Sequence, residues 1–234
     1  MKEVRYFYTP EPMSGALPDD EAAHALRVLR LVEGDEIFLM DGCGTCYRAA
    51  ITEATKKYCA YRIVETMPQT PQWKGHLHLA MAPTKNIDRT EWFAEKATEI
   101  GFDELTFLDC QFSERRVVKD ERIVKILISA MKQSHKAYLP KLNSMMPFNE
   151  FIKRPFVGQK FICHCYDDHL PLLKDRLGSD EDALVMIGPE GDFSIEEVRA
   201  AEAVGFLSVS LGKSRLRTET AALVAVHLMN LANS

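Results

Sequence analysis

Two loops near the carboxyl end hold the residue types best suited to chemistry in this chain. Gly188-Pro189-Glu190-Gly191-Asp192-Phe193 follows the apolar run ALVMI, and Gly212-Lys213-Ser214-Arg215-Leu216-Arg217 follows LSVSL. A glycine directly after a buried strand lets a ligand approach the backbone closely, and the strand ends of open parallel sheets are where ligands bind. One loop is acidic and the other basic, so the two can wall a single pocket. The spacing is neither GxGxxG nor a glycine-rich run ending in Lys-Ser/Thr, so neither a dinucleotide fingerprint nor a Walker-type phosphate loop is supported. Ser194 and Ser214 lack the GxSxG setting of a hydrolase nucleophile. Cys43-Gly44-Thr45-Cys46 has CxxC spacing but no second pair to complete a zinc site. Cys163-His164-Cys165 lies in a strand-like run whose alternate side chains face opposite ways. No metal is expected.

The elements that must position these loops follow from periodicity. After about residue 70, short apolar runs alternate with helical patterns. HLHLAMA precedes a helix from about Asp88 to Ile100, and ELTFLD precedes one over about Glu121 to His135. KFICHCY is then followed by LPLLKDRL, ALVMIG by SIEEVRAAEAV, and LSVSLG by an apolar helix from about Thr220 to Ala232. Five such pairs mean a parallel sheet covered by helices. Ser194 with Glu197 three residues later is a capping box that opens one of those helices. The earlier residues read instead as strands (RYFYTP, EIFLM, YRAAI, YCAYRIVE) with one amphipathic helix from about Asp19 to Leu31, the pattern of a small β-barrel. MPQTPQWKG reads as a linker, giving domains of 1–70 and 71–234. A helix apolar all round must be buried on all sides, so a second subunit is expected to cover the last one.

The 234 residues are 46% hydrophobic and 27% charged, which fits a folded globular chain and excludes a disordered or disulfide-stapled one. The scattered cysteines point to a reducing cytoplasm, and no apolar run is long enough for a signal core or a membrane span. The net charge of −5 argues at first against nucleic acid. The charge is unevenly spread, however. Residues 111–160 carry eleven Lys and Arg against four Asp and Glu, whereas 161–202 carry three against eleven. The basic stretch also holds Gln133, Ser134, His135 and Tyr138, side chains suited to phosphate and sugar contacts; a solvated helix face is the alternative.

The strings IGPEGDFS and LGKSRLRTETA, in that order, resemble those of the ribosomal RNA small-subunit uridine-N3 methyltransferases, a family of the SPOUT class. RYF, HALRVLR, Gly34-Asp35, Asp41-Gly42-Cys43-Gly44, PTKNIDRTEW, the stretch from Lys96 to Gly101, and Gln133-Ser134 with Pro140 extend the match over nearly the whole chain. The resemblance implies an α/β fold: a SPOUT-type parallel sheet with helices on both faces and a C-terminal trefoil knot, preceded by a small PUA-like β-barrel. It implies a homodimer acting on 16S ribosomal RNA or the small ribosomal subunit, with S-adenosyl-L-methionine as cofactor. The cofactor-binding residues carried over are Ile187, Gly188, Pro189, Glu190, Gly191, Leu211, Gly212, Leu216, Arg217, Thr220 and Ala221. The chain departs from the family at three places: Asp192 stands where a second glycine is usual, Arg116 where a serine is, and Lys136 where an arginine is. A position that wants φ > 0 tolerates Asp less well than Gly but better than most residues.

Methylating N3 of uridine needs a donor held in line, loss of the N3 proton and stabilisation of charge on the ring. Arg217 is the candidate for placing positive charge beside the uracil oxygens. Glu219 or Glu190 would take the proton, or would anchor Arg217 and the loop. Because N3 is engaged in pairing within a duplex, the base must be unpaired or flipped. The candidate RNA-binding residues are Arg5, His24, Arg27, Arg30, Arg115, Arg116, Gln133, Ser134 and Lys136, with Tyr6 and Phe7 as aromatic faces. Two other readings stay open: a related enzyme methylating a ribose 2′-hydroxyl or another base, and a noncatalytic RNA-binding or ribosome-assembly protein.

Overall fold

The computed structural model of the chain describes residues 5–167 and 169–234, which divide into two compact units, residues up to 71 with 128–139 and residues 72–127 with 140–234. In the first unit, β1 (Tyr6–Tyr8), β2 (Glu36–Met40), β3 (Thr45–Ala54) and β4 (Cys59–Pro68) form one sheet in that order. β1 runs parallel to β2 and the other pairs are antiparallel. Phe7, Ile37, Leu39, Ala49, Ile51 and Tyr61 alternate onto its inner face and meet Ala22, Ala25 and Leu31 there.

The helix expected over 19–31 is shorter and irregular. α1 (Asp19–Ala23) passes at once into a π-helical turn over His24–Val28, closed by the Leu29 N–H on the His24 carbonyl, and Arg30 then takes φ 54°. The extra residue in the turn lets both Ala25 and Leu31 reach the core while His24, Arg27 and Arg30 stay exposed.

The second unit is built on a six-stranded sheet of β5 (Leu77–Met81), β6 (Glu104–Asp109), β7 (Lys141–Pro147), β8 (Gln159–Cys163), β9 (Ala183–Ile187) and β10 (Leu207–Val209). All pairs are parallel, in the order β10-β8-β9-β5-β6-β7. α4 (Phe148–Phe151) and α5 (Ile195–Ala203) cover one face through Phe148, Phe151, Val198 and Ala201, packed on Ala80, Leu108, Ile162, Leu184 and Met186. The alternate residues Leu79, Met81, Val185 and Ile187 face the other way, where α6 (Thr218–Ala232) lies on β5 and β9 with α2 (Ile87–Ile100) against it. α3 (Asp120–Gln133) begins in this unit, and its residues from 128 on belong to the first.

Two departures from the sequence reading have local causes. LPLLKDRL forms only a single 3-10 turn at Leu173–Asp175. Its backbone is committed elsewhere: the Ser210 N–H donates to the Pro171 carbonyl and the Leu173 N–H donates to the Ser210 carbonyl, each at 2.9 Å. β7 was not expected, because KLNSMMP is an edge strand with little buried surface and hence no apolar alternation to read. The linker reading of MPQTPQWKG also needs amending, since Trp73 is buried and donates from Nε1 to Asp103 at 2.9 Å. No helix among the described residues is long and apolar enough to cross a membrane.

Candidate active site

Strand order brings the carboxyl ends of β8, β9 and β10 to neighbouring places, and the loops leaving them enclose a cavity of about 360 Å³. That is within the usual span of small-molecule sites, about 300–1,000 Å³. Ile187, Gly188, Pro189 and Glu190 line it from β9, Leu211, Gly212, Leu216 and Arg217 from β10, and Ala221 from the first turn of α6. Gly191 and Thr220 lie outside this lining; Gly191 instead backs onto Phe112, whose Cβ would stand 3.2 Å from a Cβ at that position. Arg89, Cys163, Cys165, Asp192, Ser210 and Arg215 also line the cavity and were not singled out from the sequence as cofactor contacts. Arg89 belongs to the string PTKNIDRTEW, but nothing in its spacing says that α2 starts beside the later loops.

The β9 loop is held by backbone geometry and by its own acids. A Cβ at Gly188 would sit 2.9 Å from the Phe193 nitrogen, so the turn closes only around glycine. Asp192 takes φ 66°, the left-handed conformation expected from its place in the string, and its N–H closes the turn on the Pro189 carbonyl at 2.9 Å. Its carboxylate accepts the Cys165 N–H at 2.9 Å and the Phe193 N–H at 2.8 Å, so the residue also ties the β8 end to the β9 loop. Glu190 accepts the Lys85 N–H at 2.8 Å. Arg115 grips the same segment after β5, donating to the carbonyls of Thr84 at 3.1 Å and Lys85 at 2.7 Å.

Arg217 is exposed at the N-cap of α6 and faces the cavity. Glu219, two residues on, is outside the lining and buried. Its Oε1 lies 3.8 Å from Arg89 Nη1, and its Oε2 has no hydrogen-bond partner. Burial, with Asp192 beside it, pushes the Cys165 thiol up, and burial does the same more strongly for Cys163, so both stay protonated near neutral pH. The cavity therefore offers apolar walls, open backbone and guanidinium groups, without a thiolate.

The RNA-binding candidates fall in both units. In the first, His24, Arg27, Arg30 and Gln133 are exposed, Arg5 is half-buried with its Nε unpartnered, and Ser134 donates from Oγ to the Met131 carbonyl. Lys136 is half-buried and engaged. In the second unit Arg115 serves the loop just described, and Arg116 pairs with Asp109 and reaches the Gln111 carbonyl. The basic stretch is thus partly spent on internal contacts.

Comparison with known proteins gives consistent results. Residues 71–230 match a family described as RNA methyltransferase domain, and residues 17–64 match one described as RNA methyltransferase PUA domain. A crystal structure of a probable rRNA-methyltransferase from Porphyromonas gingivalis superimposes with a TM-score of 0.92 at 41% identity, covering 98% of each chain. A ribosomal RNA small subunit methyltransferase E from Neisseria gonorrhoeae, bound to S-adenosyl methionine, superimposes with a TM-score of 0.85 at 28% identity over 98% of each chain. The Aquifex aeolicus protein named ribosomal RNA small subunit methyltransferase E is 30% identical over 97% of this chain and 99% of its own.

Proposed function

The chain belongs to the RNA methyltransferase family, and on that premise we propose that it transfers a methyl group from S-adenosyl-L-methionine to N3 of a uridine in 16S ribosomal RNA. The observation that carries this reading is the cavity at the ends of β9 and β10, with open backbone at Gly212 and Arg217 at its mouth. The residues fit the cofactor. Gly212, at φ 127° with nothing within 4 Å of the place a Cβ would take, leaves the backbone open to a ligand. Ile187 and Leu216 supply apolar walls and Ser210 a polar one. The bound cofactor supplies an electrophilic methyl group.

The chain's own residues supply the rest. Arg217 places a cation where the uracil oxygens would lie, favouring the ring anion and so the loss of the N3 proton. Between the two glutamates, Glu190 is occupied by the Lys85 N–H, whereas Glu219 keeps an oxygen without a partner. The anchoring role thus falls to Glu190, while Glu219, buried outside the cavity lining, would position the neighbouring Arg89, and the N3 proton would pass to solvent at the open mouth of the cavity.

The same reading places a PUA-like barrel at 1–70 and the methyltransferase domain at 71–234, supported by the two family matches. It threads the chain through the loops after β9 and β10 into a trefoil knot, which agrees with α6 returning onto β5 and β9. It makes the protein a homodimer in the cytoplasm, contacting RNA through Arg5, His24, Arg27, Arg30, Gln133, Ser134 and Lys136, and through Arg115 and Arg116 where the internal pairs open. Nucleoside mass spectrometry of ribosomal RNA from a deletion strain tests the reading. N3-methyluridine is expected to vanish and to return when the recombinant protein and S-adenosyl-L-methionine are added to that RNA. Loss of a 2′-O-methylated nucleoside instead would move the protein to a different reaction, and calorimetry showing no cofactor binding would make it noncatalytic.

A further inference from the structure

Three guanidinium groups line the cofactor cavity, and the chemistry at the uracil ring occupies one of them, Arg217. The other two come from separate elements, Arg89 from the first turn of α2 and Arg215 from the loop after β10. Arg215 is exposed, and among the described residues its side chain has neither a hydrogen bond nor an ion pair. The Arg89 side chain is 40% exposed and makes no hydrogen bond among them either; its counter-charge is Glu219, with 3.8 Å between Nη1 and Oε1. A cation in the first turn of a helix works against the helix dipole, so helix formation does not account for Arg89. The buried Glu219 instead holds its guanidinium beside the start of α6. Each of these two groups presents N–H donors in a fixed planar fork that the chain itself leaves unused.

The cofactor does not call for this pair. S-adenosyl-L-methionine carries a sulfonium and an ammonium against one carboxylate, so it is cationic as a whole, and further cations around it repel it on balance. The other substrate is what brings negative charge. A uridine that leaves its stack to present N3 carries a phosphate on its 5′ side and another on its 3′ side, and both come to the mouth of the cavity with the base. A guanidinium fork matches two oxygens of one phosphate at once. The basic stretch of residues 111–160 leaves this task open, since Arg115 donates to the Thr84 and Lys85 carbonyls and Arg116 pairs with Asp109. We infer that Arg89 and Arg215 hold the phosphates that flank the target uridine, fixing the approach of its base to the methyl donor while Arg217 faces the ring. The inference rests on the reading of the protein as a uridine methyltransferase and supplies that site with its backbone contacts. Such contacts position a nucleotide without reading its sequence.

The test uses the full-length protein saturated with S-adenosylhomocysteine, which fills the place of the methyl donor. Uridine and uridine 3′,5′-bisphosphate are titrated by calorimetry. Charge-assisted hydrogen bonds to two phosphates should make the bisphosphate bind about tenfold tighter or better. Arg89→Gln and Arg215→Gln should each reduce that preference and the double variant should remove it, whereas Arg217→Ala should weaken both compounds together. With unmethylated 16S ribosomal RNA from the deletion strain, the plot of log affinity against log salt should flatten by about 0.7 for each arginine replaced by glutamine. Arg215→Lys keeps the charge without the fork and should keep the slope. A bisphosphate preference that survives the double variant, or a salt slope unchanged in it, would overturn the inference. So would a loss of S-adenosylhomocysteine affinity as large as the loss of RNA affinity, which would assign the two arginines to the cofactor. Should neither uridine compound bind measurably, the salt slopes decide. Methyl transfer to the same RNA by the unaltered protein, measured in parallel, reports on the parent reading separately.

Discussion

The Lys85 backbone N–H donates to the Glu190 carboxylate at 2.8 Å, which fastens the loop after β9 to the segment after β5. A carboxylate engaged in this way holds the loop that lines the cavity. Glu190→Gln keeps an oxygen that can accept the same bond, so turnover should stay within a few-fold. Glu190→Ala removes it and loosens the loop, so the affinity for S-adenosyl-L-methionine should fall by about tenfold, the equivalent of about 1.4 kcal/mol. Calorimetry on the two variants checks this. A large loss of maximal turnover in Glu190→Gln with cofactor affinity intact would return Glu190 to the chemistry.

Asp192 stands where the resembling family has glycine, and it meets the left-handed backbone with φ 66° while its carboxylate accepts two N–H groups. Glycine would relieve the backbone but lose both bonds. Asparagine tolerates the same conformation and keeps an acceptor. Alanine has neither advantage, and the left-handed conformation alone costs an ordinary residue about 1–2 kcal/mol. Thermal denaturation should therefore rank Asp192→Asn closest to the parent and Asp192→Ala least stable, by about 2–3 kcal/mol once the lost bonds are included.

Leu231 on α6 is 58% exposed and Trp92 on α2 is 44% exposed, on two helices that pack against each other. Large apolar side chains left open on neighbouring helices fit a second copy of the chain. Light scattering at micromolar concentration should give about twice the 26.5 kDa of one chain. Leu231→Glu should bring the mass down to that of a single chain, because a charge opposite its symmetry mate disfavours the contact. A parent protein already monomeric at that concentration would remove the dimer.

Much of this arrangement was legible in the residues. The two glycine loops, their parallel strands and the capping box of Ser194 and Glu197 follow from local pattern, and the box closes through both of its bonds. Arg89 and the β8 end were not legible as parts of the cavity, because strand order is a tertiary fact: β8 lies beside β9 and β10, and α2 begins next to loops more than a hundred residues later. β7 escaped because an edge strand buries too little to leave an alternation. The π-turn at His24–Val28 escaped because one added residue in a helix shifts the apolar face without changing the composition. The pairing of Lys132 with Glu21 was hidden for the same kind of reason, since counting charges along the chain cannot tell which cations meet acids in space.

Arg217 faces the cavity from the N-cap of α6, with no side-chain cap bond that would tie it to the helix. Its charge is thus available to a ligand. Arg217→Ala should abolish methylation while cofactor affinity stays within a few-fold, since removing one well-placed charge donor to a developing anion costs about 10²–10³ in rate. Arg217→Lys keeps the charge without the planar fork and should retain a small part of the activity. Equilibrium binding and single-turnover transfer on the same preparations separate the two effects, and full turnover in Arg217→Ala would take the residue out of the mechanism.

The second unit should lose stability in acid in two steps. Burial pushes the His78 imidazole down to about 4, where it stays neutral with Nε2 on Thr106 Oγ1 at 2.8 Å. A folded value below the unfolded one of about 6.5 means that the unfolded chain takes up a proton first as pH falls. The stability tied to His78 is therefore whole above pH 6.5 and is lost as pH drops toward 4, by about 3 kcal/mol at full protonation. Burial by itself would raise the Glu104 carboxyl, but the hydrogen bond from Asn143, the charge of a protonated His78 and the hydrogen bonds from Lys141 and His76 outweigh it and hold the group down to about 2. Its contribution is present above about pH 4.5 and is lost below that. Urea unfolding followed by tryptophan fluorescence, with buried Trp73 as a reporter, should show a decline starting near pH 6.5 in the parent. In His78→Leu the decline between pH 6.5 and 4.5 should become clearly shallower, with the remainder carried by His164, whose imidazole burial also pushes down. An identical slope in parent and variant between pH 6.5 and 5 would show that His78 does not carry the acid sensitivity.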